Sequence, residues 1–272
     1  METIKPSPNS PIGIFDSGLG GLTVLKSLEK ILPNESFLYF GDTAHVPYGT
    51  KSAETVIRYS QHIMDFFQKH ETKAVVIACN TASAVAYQQL QQIYKIPLFD
   101  VVTPSVEYSI NITKSKKVGV VGTFSTIQSN AYTKMFKKLG SGCFVKEVPC
   151  PLFVPIIEEG WADTAIAKNI AETYLKEFQD YNIDTLILGC THYPIMANTI
   201  QDVLSNHIEL IYSGKTVGIK LKKYLKNQNC ENSSNTSQSV KYFVTDFPQK
   251  FDELGSRFLG RPLNNVTHIP IV

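Results

Sequence analysis

Two stretches of this 272-residue chain, AVVIACNTAS (74–83) and TLILGCTHYP (185–194), resemble each other and lie 111 residues apart. Each begins with an apolar run of strand length and continues into a small residue, a cysteine and then hydroxyl or amide side chains. Two further pairs repeat at similar spacing: GIFDSG from Gly13 with GVVGTF from Gly119, and IPLFDVV from Ile96 with IELIYSG from Ile208. We therefore expect two halves built in the same way.

The hydrophobic pattern favours an α/β fold. Strand-length apolar runs alternate with amphipathic segments of helix length, the clearest of which are 52–70, 82–94 and 165–178. The apolar runs are 11–15, 36–40, 74–79, 96–102, 117–122, 143–148, 184–190, 208–212 and 241–245. Continuous rather than alternating apolarity is typical of parallel strands buried on both faces. The sequence predicts two similar doubly wound lobes with mainly parallel sheets, related by pseudo-symmetry.

The strand ends are the expected place for a ligand. Doubly wound sheets bind ligands beyond the carboxyl ends of their strands. Two such lobes facing each other would place equivalent loops on opposite sides of one cleft. Because both matched strands run into a cysteine, Cys79 and Cys190 are predicted to face each other across it.

Composition excludes several classes of protein. With 26 Lys and Arg against 24 Asp and Glu, the formal charge of +2 does not favour nucleic acid or an anionic membrane as the main partner. No run of 18 apolar residues occurs and the first ten residues lack a signal-peptide core, so a cytosolic location is expected. Five cysteines without a C-x-x-C pair indicate neither a disulfide framework nor a cysteine zinc site.

The glycine-rich loop DSGLGG (16–21) invites comparison with dinucleotide-binding loops. The spacing from Gly18 and Gly20 requires a third glycine at position 23, which is Thr23, and this argues against a nicotinamide site. Asp16 in this loop has two interpretations, a cap for the next helix or a group that exchanges protons.

Two facing thiols suit proton transfer at a carbon stereocentre. One base removes the proton from one face while a conjugate acid delivers a proton to the other, and the roles exchange in the reverse direction. A lone cysteine is more often a buried apolar residue, but two at equivalent positions favour a function. A helix start after each thiol is expected to stabilise the thiolate, with Asp16 and His192 as proton partners. The strand-end loops contain no Arg or Lys before Lys51, so Ser, Thr, Asn and backbone N–H groups would hold an anionic substrate.

Over nearly all of residues 11–258 the chain resembles the cofactor-independent glutamate racemases, and six motifs carry the resemblance: PIGIFDSGLGGLTVL, YFGDTAHVPYG, ACNTASA, GVVGTFST, PLFVPIIEEG and LILGCTHYP. The resemblance implies that Cys79 acts on D-glutamate and Cys190 on L-glutamate, assisted by Asp16, Glu158 and His192. The substrate site that it implies consists of Asp16, Ser17, Pro47, Tyr48, Gly49, Asn80, Thr81, Thr123, Thr191 and His192. Thr123 is equally interpreted as a helix cap, and Glu158 as part of a solvated helix face.

The resemblance also implies the protein's setting. It implies no cofactor and no metal, glutamate as the small-molecule partner, and D-glutamate supply for peptidoglycan synthesis in a bacterial cytosol, with a homodimer left open. The first lobe would comprise residues 1–103 and 214–272, and the second 104–213. The polar stretch 227–239, expected as a surface loop, and the tail 263–272 lie outside the motifs, and these departures bear only on peripheral packing or oligomer contacts.

Three alternatives remain open at this stage. An aspartate or hydantoin racemase of the same superfamily would use the same thiol pair, although aspartate-type members resemble G-C-T-E where this chain has His192. A thiol-redox enzyme or cysteine hydrolase would need a resolving cysteine or a Cys–His pair. A two-lobed amino-acid binding protein without catalysis would have a cleft and leave the paired cysteines unexplained.

Overall fold

The computed structural model describes residues 7–204, 207–233 and 238–270. Within these ranges ten strands form two separate sheets, one of six strands and one of four, and all the strand pairings are parallel. The predicted fold class is confirmed.

The two sheets repeat one strand order. The strands are β1 Ile12–Asp16, β2 Phe37–Gly41, β3 Ala74–Ile77, β4 Leu98–Phe99, β5 Lys117–Gly122, β6 Phe144–Pro149, β7 Thr185–Gly189, β8 Glu209–Tyr212, β9 Val240–Val244 and β10 Val266–His268. The six-stranded sheet has the order β10-β9-β2-β1-β3-β4 and the four-stranded sheet β6-β5-β7-β8. When the two sheets are compared inward from their edge strands β4 and β8, β3 corresponds to β7 and β1 corresponds to β5. These are the strand pairs that the sequence repeat predicts. We call the six-stranded sheet the first sheet and the four-stranded sheet the second sheet.

Helices connect the strands. They are α1 Leu22–Ile31, α2 Ala53–Lys69, α3 Asn80–Val85, α4 Tyr87–Ile93, α5 Val102–Ile112, α6 Phe124–Gln128, α7 Ala131–Lys138, α8 Phe153–Glu158, α9 Ala165–Leu175, α10 Ala197–Val203, α11 Ser213–Asn227 and α12 Pro248–Leu259. Short 3-10 turns occupy Thr43–His45, Tyr48–Thr50, Lys176–Tyr181 and Tyr193–Met196. In α2, the Ser52 side chain accepts from the Thr55 N–H at the first turn, and Phe67 is buried against Gly13 of β1. This contact fixes α2 on the first sheet.

Several predicted boundaries were wrong. The strand expected over 96–102 is limited to β4, because the Asp100 carboxylate accepts from the Thr103 N–H at 2.7 Å and α5 begins at Val102. The helix expected over 82–94 begins earlier and is divided between α3 and α4 at Ala86. The helix expected over 165–178 continues beyond Leu175 as a 3-10 turn.

The carboxyl-terminal segments join the first sheet. The tail supplies β10, which pairs with β9 of the first sheet. Residues 234–237 of the polar stretch 227–239 lie outside the described residues. Within that stretch, Asn232 is buried and its backbone N–H donates to the Glu35 carboxylate at 2.9 Å, so the expected surface loop is anchored there.

The division into lobes follows the sheets. The first sheet takes strands from residues 12–99 and 240–268, and the second from 117–212. The predicted boundaries at 103/104 and 213/214 lie near the starts of α5 and α11, which pack against each other through a 3.1 Å contact between the Ser105 and Thr216 hydroxyls. These boundaries stay a prediction. Across the described ranges, no helix combines the length and apolar character needed to cross a membrane.

Candidate active site

The two matched cysteines lie at equivalent strand ends. Cys79 follows β3 and is the N-cap of α3, and Cys190 directly follows β7. Both are buried, with 5% and 6% of their surfaces exposed. Both line one cavity of about 390 Å³ that includes loops from the carboxyl ends of both sheets. The predicted cleft is therefore present.

The cavity collects nearly all of the predicted site residues. Those that line it are Ser17, Pro47, Tyr48, Gly49, Cys79, Asn80, Thr81, Thr123, Glu158, Cys190, Thr191 and His192. Asp16 is fully buried beside the cavity and does not line it. The position of each residue is thus known, whereas its role stays a proposal.

Cys79 lies in a mainly apolar and anionic environment. Its Sγ accepts from the Ala82 N–H at 3.5 Å and lies 3.7 Å from the Ser17 hydroxyl. Burial and then the charge of Asp16 raise the pKa of Cys79 to about 12, against the opposing contributions of the Ala82 N–H and the Ser17 hydroxyl. The start of α3 contributes in the expected direction through the Ala82 N–H, but desolvation and the charge of Asp16 outweigh that contact.

Cys190 has a basic neighbour instead. Its Sγ lies 3.9 Å from His192 Nδ1, and Nε2 of the same ring is 2.9 Å from a Glu158 carboxylate oxygen. Burial would lower the pKa of His192, but Cys190 and Glu158 together raise it to about 10. Burial would likewise raise the pKa of Glu158, and His192 lowers it below its usual value. At neutral pH the arrangement is therefore an imidazolium held between the sulfur of Cys190 and a carboxylate.

Asp16 organises the loop that follows β1. One carboxylate oxygen accepts from the Gly18 N–H at 3.0 Å, and the Thr191 hydroxyl donates to the other at 3.4 Å. Gly21, the N-cap residue of α1, has no capping side chain, and its backbone N–H is one of the hydrogen-bond donors that lower the pKa of Asp16, so Asp16 contacts the start of that helix. Complete burial raises its pKa, against the lowering effects of His192 and the hydrogen bonds. A buried carboxyl group with a raised pKa can hold a proton near neutrality.

Three threonine hydroxyls form a cluster, in which Thr81 and Thr123 line the cavity and Thr126 is buried behind them. Thr81 lies 3.0 Å from Thr123 and 3.1 Å from Thr126, and Thr123 lies 2.9 Å from Thr126. Thr123 also caps α6 by accepting from the Thr126 N–H, so both interpretations of Thr123 are compatible. Thr126 was not among the predicted site residues, although it is the last residue of the quoted GVVGTFST motif.

The loop of Pro47, Tyr48 and Gly49 brings the first sheet close to the second. A Cβ added at Gly49 would lie 2.9 Å from Thr123 Cβ. The Tyr48 hydroxyl donates to Asp42, which also accepts from the Thr245 hydroxyl at 2.9 Å. The phenol is thus held by the first sheet rather than free for catalysis, and the pKa of Tyr48 is raised by burial and by Asp42.

Comparison with known proteins decides the family. The family model described as Asp/Glu/Hydantoin racemase matches residues 12–217. The chain belongs to this racemase family. It is 44% identical over 264 residues to the glutamate racemase of Geobacter metallireducens, with 97% of this chain and 98% of that protein covered.

Solved structures agree with this assignment. A glutamate racemase of Francisella tularensis in complex with D-glutamate matches the racemase with a TM-score of 0.90 at 41% identity, covering 96% of this chain and 98% of that one. The glutamate racemase isoform RacE1 of Bacillus anthracis matches with a TM-score of 0.92 at 34% identity, covering 97% and 98%. This chain is thus an isomerase.

The racemase has a direct connection between its first loop and the second cysteine loop. Thr23, which replaces the third glycine of a dinucleotide motif, donates through its hydroxyl to the Thr191 carbonyl at 2.7 Å. Gly20 lies so close to Thr191 and His192 that an added Cβ would overlap both side chains. The glycine-rich loop therefore packs directly against the loop that follows Cys190.

The racemase cavity is short of cations. Among the described residues, none that lines it is Lys or Arg, which agrees with the loop compositions. Apolar residues cover part of the wall, namely Leu19, Val46, Phe124, Pro151, Val154 and Pro155. These residues were not predicted, because an apolar side chain in a loop carries no sequence signal that it faces a ligand.

Proposed function

We propose that this racemase interconverts L- and D-glutamate by proton transfer between two cysteines. The observation that carries the proposal is the pair of thiols at matched strand ends of one cavity, each with a different proton partner. The relatives at about 40% identity over nearly the whole chain are glutamate racemases. Cys79 would act on D-glutamate and Cys190 on L-glutamate.

In the direction from L-glutamate, the Cys190 thiolate takes the proton from Cα, and the bonding pair stays on carbon. The Cys79 thiol then donates its proton to the opposite face, which gives D-glutamate and a Cys79 thiolate. The starting charges suit this direction, because the His192 imidazolium stabilises a thiolate at Cys190 while burial keeps Cys79 protonated. No electrons are gained or lost, so the step requires no redox partner.

Substrate binding would rely mainly on neutral donors. The backbone of the 47–49 loop and the hydroxyls of Ser17, Thr81, Thr123 and Thr191 can hold the two carboxylates, and the His192 imidazolium adds the cationic field. Asn80 offers a buried amide oxygen, without a hydrogen-bond partner among the described residues, to the ammonium group. Such a site recognises a small zwitterion by placed hydrogen bonds, each of which strengthens in a buried environment.

The test is racemisation of L-glutamate by purified protein in deuterated water without added cofactor, followed by circular dichroism and mass spectrometry. The product D-glutamate should acquire one deuterium at Cα while the L-glutamate pool stays protiated early in the reaction. A single shared base would return label to both pools at the same rate, and that result would defeat the two-thiol mechanism.

We also propose a cellular setting. The enzyme would supply D-glutamate for peptidoglycan synthesis in the bacterial cytoplasm, and the named relatives are bacterial proteins. A homodimer is compatible with this proposal, and sedimentation of the purified protein tests it.

A further inference from the structure

Asn80 is held by two buried hydroxyl groups outside the cavity. Its Nδ2 donates to the Tyr132 hydroxyl at 2.9 Å and to the Ser213 hydroxyl at 3.2 Å. Tyr132 belongs to α7 and is completely buried, and Ser213, the first residue of α11, is 3% exposed. Neither residue lines the cavity. Both therefore act on a substrate, if at all, through Asn80.

The contacts of Ser213 fix which way the amide faces. The Ser213 hydroxyl donates to the Leu188 carbonyl at 3.4 Å, which uses its one hydrogen, so it must accept from Asn80. An amide nitrogen has two hydrogens, and Tyr132 and Ser213 take both. Asn80 Oδ1 consequently faces the other way, where it is buried and has no hydrogen-bond partner among the described residues. A buried polar atom without a partner commonly marks a place that a ligand completes.

The same two residues contact the strand that carries the second thiol. Leu188 and Gly189 are the last residues of β7 and directly precede Cys190. A Cβ added at Gly189 would lie 3.3 Å from the Tyr132 hydroxyl oxygen. Asn80 itself directly follows Cys79. The network thus joins the residue after one thiol to the two residues before the other.

We propose that Tyr132 and Ser213 are positioning residues for racemisation. They hold Asn80 Oδ1 toward the substrate ammonium group and fix this acceptor relative to β7 and Cys190. The inference rests on the proposed function, because it takes the zwitterion glutamate as the ligand. It assigns neither residue a contact with the substrate.

Tyr132→Phe tests the proposal, since it removes the acceptor and retains the ring. We expect KM for both glutamate enantiomers to rise about tenfold, the usual cost of one misplaced hydrogen bond to a charged group. The inhibition constant of glutarate, the same dicarboxylic acid without the ammonium group, should change less than about twofold, because glutarate does not use Oδ1. General loosening of the cavity would weaken both ligands equally, and that result would overturn the proposal.

Tyr193→Phe is the matched control. Tyr193 is also completely buried, and its hydroxyl donates to the Cys150 carbonyl at 2.9 Å, away from Asn80. The Tyr193→Phe variant should leave the ratio of the glutamate KM to the glutarate inhibition constant unchanged. Ser213→Ala provides a second test if Tyr132→Phe does not fold, and it should raise the same ratio. An unchanged ratio with an active wild type overturns the positioning role alone, whereas a wild type that does not racemise glutamate overturns both proposals.

Discussion

At the scale of single residues, the two thiols should be separately indispensable. Cys79→Ser and Cys190→Ser are nearly isosteric, but a serine hydroxyl is too weak an acid to supply a base at neutral pH. Each variant should fold normally and lose far more than tenfold in kcat/KM, measured by circular dichroism from both enantiomers.

Cys143→Ser is the matched control, because Cys143 is partly exposed, lies just before β6 and does not line the cavity. It should keep wild-type activity. More than about a tenth of wild-type kcat/KM in either active-site variant, a loss below ~1.4 kcal/mol, would contradict the two-thiol mechanism.

Glu158 and Glu159 are adjacent carboxylates with different surroundings. Glu158 contacts His192, while Glu159 is exposed. Because Glu158 helps to raise the pKa of His192 to about 10, Glu158→Gln should move the alkaline limb of the kcat/KM profile to lower pH. Glu159→Gln should leave that limb in place. Equal shifts in both variants would show that general surface charge, and not the 2.9 Å contact, controls the limb.

The same ionisation should affect folding stability. The folded-state pKa of His192 exceeds its ordinary value of 6.5, so its stabilising contribution is fully present below about pH 6.5 and is lost as pH rises through about 10. Urea unfolding from pH 6 to pH 10 should therefore show a steeper fall in the free energy of unfolding for wild type than for His192→Gln. Parallel curves would refute a raised pKa in the folded state.

At the scale of elements, the loop between β1 and α1 should tolerate no side chain at Gly20. A Cβ there would displace Thr191 and His192, which can rotate away more easily than the backbone can move. Gly20→Ala should therefore reduce kcat/KM at least tenfold while the melting temperature falls by only a few degrees, judged by racemisation and thermal unfolding. A large loss of melting temperature with activity per folded molecule preserved would contradict this assignment.

The elements also show what the sequence could and could not predict. The pairing of Cys79 with Cys190 was predictable because a duplicated strand end leaves a repeat in the sequence. The strand β10 was missed, since it is three residues long and largely exposed, so hydrophobicity does not mark it. Tyr132 and Ser213 were missed because their contacts with Asn80 join residues 52 and 133 positions apart, and only the tertiary fold brings them together.

At the scale of the whole molecule, the cavity should distinguish glutamate from aspartate. Its donors come from both sheets, which hold them at a fixed separation, and Gly49 and Gly20 lie within contact distance of the opposite loops. Aspartate is one methylene shorter, so one of its carboxylates would leave donors unpaired, a larger penalty than the ~1 to 3 kcal/mol for a methylene alone. We expect no measurable aspartate turnover under conditions that saturate with glutamate. Comparable rates would place the enzyme in a broader substrate class.

The course of the chain through the two sheets has a consequence for biosynthesis. The second sheet comes from one continuous segment and can be completed soon after residue 212 leaves the ribosome. In the first sheet, by contrast, β2 pairs with β9, which is translated only at residues 240–244. At about 5–20 residues per second, the nascent β2 edge stays unpaired for on the order of ten seconds or more after its own synthesis. An open edge of this kind templates pairing with other chains. Carboxyl-terminal truncation should thus promote aggregation of the newborn polypeptide, although every predicted catalytic residue has already been translated.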